Sequence, residues 1–182
     1  MNDLEQCVQT FENMLDKDYF LTLEDGTVLH IFFTEKHFKH LLGLHKLTDI
    51  AAFSPKSKLS AKAVYNYIKT GKITFDAIRK SAHYDKIKNR IACFPMIESV
   101  FFKKVIVDFN PSLLENCKLQ AEYILYKEHG SGYLHLAIGY DVKGQYPESF
   151  FYEDSKCYLS SQHFMNVVKL EVVQKSKKTK GR

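Results

Sequence analysis

GYLHLAIGYD, Gly132 to Asp141, decides the fold class. Leu134, Leu136 and Ile138 fall on one side of this stretch; Tyr133, His135, Ala137 and Gly139 fall on the other. A period of two marks a β-strand, because successive side chains leave a pleated strand on opposite faces. The aliphatic side is the expected core face. The small, polar and aromatic side is the expected open face of an antiparallel sheet. Val105 to Phe109, Ala121 to Glu128, Ser149 to Tyr152 and Asn166 to Gln174 read as further strands, with turns at Gly130, Gly132 and Gly144.

Upstream the period changes. Leu4, Val8, Phe11 and Leu15 line one side of a helix over residues 4–15. Tyr19 to Leu23 and Thr27 to Phe33 read as a hairpin across Asp25-Gly26, since both turn residues tolerate positive φ. Ser60 caps a helix that runs to Thr70 and stops at Gly71, with Val64, Tyr67 and Ile68 as its apolar side. Thr74 caps a shorter one through Ala82. Ile87, Ile91 and Phe94 mark a third, which Pro95 should kink or interrupt. Helix, hairpin, helices and then a β-meander make an α+β pattern. The length fits a single domain over residues 1–174, followed by a disordered basic tail, KSKKTKGR, at 175–182.

FKHLLGLHKL, Phe38 to Leu47, lies between the hairpin and the helices. Thr34 can cap a short helix whose apolar stripe is Phe38, Leu41 and Leu42. Gly43 suits the left-handed residue that ends it. His40 sits on the last turn, and His45 and Lys46 follow the reversal. The spacing of His37, His40 and His45 lacks the nearby Cys or carboxylate of a common zinc pattern, so no metal site is assigned.

Charge is unevenly spread over the net +5. Residues 1–35 hold eight acids and one lysine; residues 36–90 hold thirteen Lys/Arg and three acids. The basic section and the basic tail suggest an anionic partner, or else solvated helix faces. Cys7, Cys93, Cys117 and Cys157 form no CxxC pair and read as reduced thiols of a cytoplasmic protein. The acidic N-terminal stretch lacks the apolar region of a secretory signal, and no apolar run is long enough for a membrane span.

Together FKHLLGLHKL, YNYIKTGKITFDAI, KIKNRIACF, GYLHLAIGYD and YPESFF resemble a phage-associated branch of the barnase–EndoU–colicin–RelE nuclease superfamily, over roughly residues 11–155. The resemblance implies an N-terminal helical part followed by a four-stranded antiparallel sheet. It implies RNA cleavage without metal or cofactor, in a toxin or phage-conflict effector that an antitoxin or inhibitor protein could hold in check. A noncatalytic RNA-binding or phage-system interaction module is the alternative.

Such cleavage needs a base for the 2′-hydroxyl, an acid for the leaving 5′-oxygen and cations for the phosphorane. His40, His45 and Lys46 could supply these from one turn, or could simply cap a helix C-terminus. Arg90 borders an apolar face and needs a partner, either a carboxylate or a substrate phosphate. His135, on the open-looking sheet face, is a candidate acid or base or an ordinary surface histidine. Ser149 could bond a phosphate oxygen or serve the turn after Pro147. Tyr133 could stack a base or pack under a strand, and Lys39 and Lys127 are further candidate nucleic-acid-binding residues.

Overall fold

A capping box starts the chain's first helix. The Asn2 side chain accepts from the Glu5 amide, and the Glu5 carboxylate accepts from the Asn2 amide, both at 3.0 Å. The helix, α1, spans Asp3–Leu15 and buries Leu4, Cys7, Phe11 and Met14. The computed structural model describes residues 2–142 and 144–175.

The hairpin follows as β1 (Lys17–Leu23) and β2 (Val28–Phe32). Its turn differs from a two-residue loop with positive φ at both centres. Gly26 alone takes the left-handed region, at φ 89°, while the Asp25 carboxylate accepts from the Thr27 amide at 2.8 Å. Asp25 thus works as a local acceptor and has no need of strained backbone.

Next come α2 (Phe38–Leu41), α3 (Ala61–Lys69), α4 (Phe75–Arg79) and α5 (Lys88–Cys93). Ser60 and Thr74 cap α3 and α4, accepting from the amides of Ala63 and Ala77. Tyr65, not Tyr67, joins Val64 and Ile68 on the buried side of α3, and α4 stops at Arg79, short of Ala82. Pro95 interrupts the helical run as its missing amide requires. The chain changes to a 3-10 helix over Phe94–Phe102, which buries Phe94, Ile97, Val100 and Phe101.

The second half supplies β3 (Val105–Asp108), β4 (Tyr123–His129), β5 (Gly132–Asp141), β6 (Gly144–Glu153) and β7 (His163–Gln174). β3 to β6 form the expected meander. β7 returns to lie between β3 and β1, giving one antiparallel sheet in the order β2-β1-β7-β3-β4-β5-β6. The sheet therefore has seven strands rather than four, because β7 joins the hairpin to the meander. Its two edges approach one another where the His30 amide donates to Gln145 Oε1 at 3.4 Å, so the sheet nearly closes into a barrel. Lys175 stays with the fold: its amide donates to the Asp16 carbonyl at 2.7 Å and its ammonium to the Leu15 carbonyl at 3.0 Å. The rest of the expected disordered tail lies outside the described residues.

Leu134, Leu136 and Ile138 are buried in the main core with Phe11, Phe38 and Phe94. Each such side chain contributes about 1.5–3 kcal/mol by leaving water. The opposite face of β5 is not open. Ala137 and His135 are fully buried there, in or against a second core of Val107, Phe109, Ile124, Tyr126 and Leu159. Residues from the irregular segments before β4 and before β7, among them Leu119 and Tyr158, cover that face. Among the described residues no helix is long and apolar enough to cross a membrane.

Candidate active site

The glycine turn is assembled locally. The Thr34 amide donates to His37 Nδ1 at 3.2 Å, and a 3-10 turn over Glu35–His37 leads into α2. Phe38, Leu41, Leu42 and Leu44 are all fully buried and anchor the turn from below. Gly43 reverses the chain at φ 71°, where a side chain is strained. A Cβ at Gly43 would also meet Ile87 Cγ2 at 3.0 Å and Arg90 Cδ and Nε at 3.2 Å. The missing side chain is the space into which Arg90 fits. Past it, Leu44–Lys46 forms a second 3-10 turn that carries His45 and Lys46.

Arg90 comes up from α5 and is only 8% exposed. Its Nη1 donates to the His40 carbonyl at 3.2 Å and to Ser149 Oγ at 3.3 Å. These are its hydrogen bonds among the described residues, and both acceptors are uncharged. The carboxylate partner that such a residue ordinarily requires is therefore not the one found. Burial pushes the guanidinium down to about 10, and among the described residues no neighbouring anion offsets that. It is a cation already stripped of most of its water, with donors left over.

The imidazoles of His40 and His45 lie 5.0 Å apart, tilted by 32°. His45 is pushed from 6.5 down to about 4, first by burial of the ring and then by the charges of His40, Arg90, Lys46 and Lys39. The residue as a whole remains exposed, so water and the ring's cationic surroundings act on it together. Lys46 is lowered as well, by burial first and then by Arg90 and Lys86. A cleft of about 770 Å³ opens beside these groups, with His45, Lys46, Lys86, Arg90 and Ser149 on its walls. Three acids, Asp85, Glu115 and Glu153, also line it, and Asp85 is paired with Lys88 at 2.9 Å.

His40, His45, Lys46, Arg90 and Ser149 thus converge, and Lys39 joins them through its charge. Tyr133, Lys127 and His135 do not. Lys127 is exposed on β4. Tyr133 stands half-buried near Tyr126 and His135, with the Lys156 ammonium 6.0 Å from its ring centre. His135 is not on a surface at all. It is fully buried, stacked on Phe151 at 4.9 Å and 12°. Among the described residues, neither ring nitrogen has a partner in hydrogen-bonding geometry. Burial holds it down to about 4, against a weak backbone contact with Tyr133.

Lys86 and Asn89 also line the cleft, beyond the residues that the sequence pattern singles out. Lys86 lies four residues before Arg90, so the helical repeat that singled out Arg90 points to it as well. Lys118 and Tyr158, on the far wall, sit in irregular segments with no periodic signal.

No curated protein and no solved structure matches the chain. One family model does, over residues 3–180, and its members are described as phage-Barnase-EndoU-ColicinE5/D-RelE like nucleases. The match covers nearly the whole chain and the seven-stranded α+β fold is consistent with it: the chain belongs to this nuclease family, PBECR4.

Proposed function

We propose that the chain is a metal-independent endoribonuclease whose reaction centre is the cleft between the glycine turn and β6. The observation that carries this reading is Arg90, a buried cation held by a carbonyl and a hydroxyl, with no carboxylate paired to it among the described residues. A phosphodiester entering the cleft supplies the missing anion.

The groups divide the work as follows. His45, neutral at pH 7, takes the proton of the 2′-hydroxyl as that oxygen attacks phosphorus. Arg90 and Lys46 stabilise the charge that gathers on the phosphorane, and Ser149, held by Arg90, can donate to one of its oxygens. His40, whose ring stands beside that of His45, protonates the departing 5′-oxygen. The products are a 2′,3′-cyclic phosphate and a free 5′-hydroxyl. Substrate binding also favours the chemistry: a phosphate offsets the positive charges that depress His45 and makes it a better base.

Such an activity suits a toxin or phage-conflict effector acting on RNA in the cytoplasm, with a dedicated inhibitor protein as its natural restraint. The test is a time course of RNA cleavage in EDTA with the wild type and with Arg90→Lys, a variant that keeps a charge but loses the fork of donors. Cleavage by the wild type, slowed at least about 10²-fold in the variant, is the expected result. Salt-sensitive RNA binding without cleavage would make the chain a binding module instead.

A further inference from the structure

A second cavity, of about 300 Å³, lies on the other side of His40. Lys36, His37, His40, Asp141, Tyr146 and Glu148 line it, and the Tyr146 hydroxyl donates to the Glu148 carboxylate. His40 therefore links this cavity to groups of the main cleft: its side chain borders this one, its ring lies 5.0 Å from that of His45, and its carbonyl accepts from Arg90.

β6 feeds both cavities from adjacent residues. In a regular strand Glu148 and Ser149 would point to opposite faces of the sheet. Here Ala137 pairs with Ser149 and Ile138 with Pro147, so Glu148 is the extra residue of a β-bulge. Ser149 borders the main cleft and accepts from Arg90, while Glu148 borders the second cavity.

The second cavity also has an aromatic wall. A Cβ at Gly139 would come within 2.8 Å of Tyr146 Cζ, so the glycine allows the ring to lie directly on β5. The His37 ring lies 6.3 Å from it, inclined by only 28°. His37 is 7% exposed, and its Nδ1 accepts the Thr34 amide, which places the ring proton of the neutral form on Nε2.

We propose that this cavity is a nucleoside subsite, which takes the base adjacent to the scissile phosphate and uses Glu148 to select bases carrying an exocyclic amino group. Flat aromatic walls suit a nucleobase whatever its identity. A carboxylate only accepts hydrogen bonds, so an exocyclic amino group, with two N–H donors, suits it better than uracil, whose single ring N–H lies between two carbonyls that the carboxylate repels. The subsite rests on the reading of His40, His45 and Arg90 as the cleavage centre.

Binding separates the two ideas. The probes are dinucleoside monophosphates with a 2′-deoxyribose at the scissile linkage, which blocks cleavage, carrying each of the four bases in turn. Calorimetry on the full chain should show an amino-bearing base bound at least tenfold more tightly than uracil. Glu148→Gln, which is isosteric, should collapse that ratio towards one, and Tyr146→Ala should weaken all four probes. Tyr146→Phe, which keeps the ring, should leave the stacking part in place. Uracil bound as well as the other three, or a ratio untouched by Glu148→Gln, overturns the subsite. His45→Ala should keep the base preference while losing RNA cleavage. Base-selective binding in a wild type that cleaves no RNA would leave the subsite standing and remove the catalytic reading.

Discussion

His45 and His135 have the same depressed pKa, about 4, in opposite settings. His45 lies on a cleft wall, and positive neighbours add to the effect of burial. His135 lies inside the second core, and burial alone acts against its charge. A bound anion can offset the charge part of the first effect, though not the burial that is its larger cause; His135 has no such charge part to relieve. The depressed value by itself therefore says little about function; what matters is whether a ligand can relieve its cause.

The largest expected difference is in rate. His45→Ala should cut RNA cleavage by about 10²–10⁴-fold while moving the melting transition only slightly, since an exposed side chain contributes little to stability. His40→Ala should behave similarly. A time course in EDTA beside a melting curve checks both; full specific activity in both variants would exclude the glycine turn from the mechanism.

Gly43→Ala should lower stability by about 1–3 kcal/mol, because a side chain is strained at this φ and its Cβ presses on Arg90 and Ile87. Cleavage should fall with it once corrected for folded fraction, since Arg90 must move. A denaturant titration run beside the rate assay reads both effects; normal activity in the folded fraction would show that the fit of Arg90 against Gly43 is not needed.

His135→Phe should leave cleavage unchanged and should be neutral or stabilising by up to about 2 kcal/mol, because it removes a buried polar ring without partners. The variant also tests a pH effect with a definite sign. A histidine at about 4 in the fold and 6.5 in the unfolded chain is protonated first in the unfolded chain. Its contribution is complete above pH 6.5 and is lost as the pH falls towards 4. His37 is pushed to about 4 as well, by burial first, and adds to the same acid-side loss. Urea midpoints between pH 4 and 7 should fall less steeply for His135→Phe than for the wild type; parallel curves would mean that His135 does not titrate with unfolding.

The smallest effect is the most selective. Adding the non-cleavable dinucleotide should raise the pKa of His45 and leave that of His135 in place, as imidazole proton shifts would show. A matching rise at His135 would mean that the second core opens when the cleft fills.

The comparison also shows what could be read from the sequence. The period-two pattern of Leu134, Leu136 and Ile138 gave the core face correctly, because burial imposes that period directly. The same pattern suggested an open opposite face. What covers that face is the irregular chain before β4 and before β7, where no period betrays contact, so His135 passed for a surface residue. The glycine turn was legible from Gly43 and its leucines. Its tie to Arg90 was not, since a contact between residues 43 and 90 leaves no mark in local spacing. The bulge at Glu148 was equally silent, because it exists only in the pairing of β6 with β5.

The place of β7 has a consequence for synthesis. It is made after every other strand described, yet it sits inside the sheet, with β1 on one side and β3 on the other. Until residues 163–174 have left the ribosome, the N-terminal hairpin and the meander share no strand, and the frame that positions β6 against the glycine turn is unfinished. The hairpin, the meander and the turn between them can therefore reach their final arrangement only after β7 has been made, however early the other parts fold.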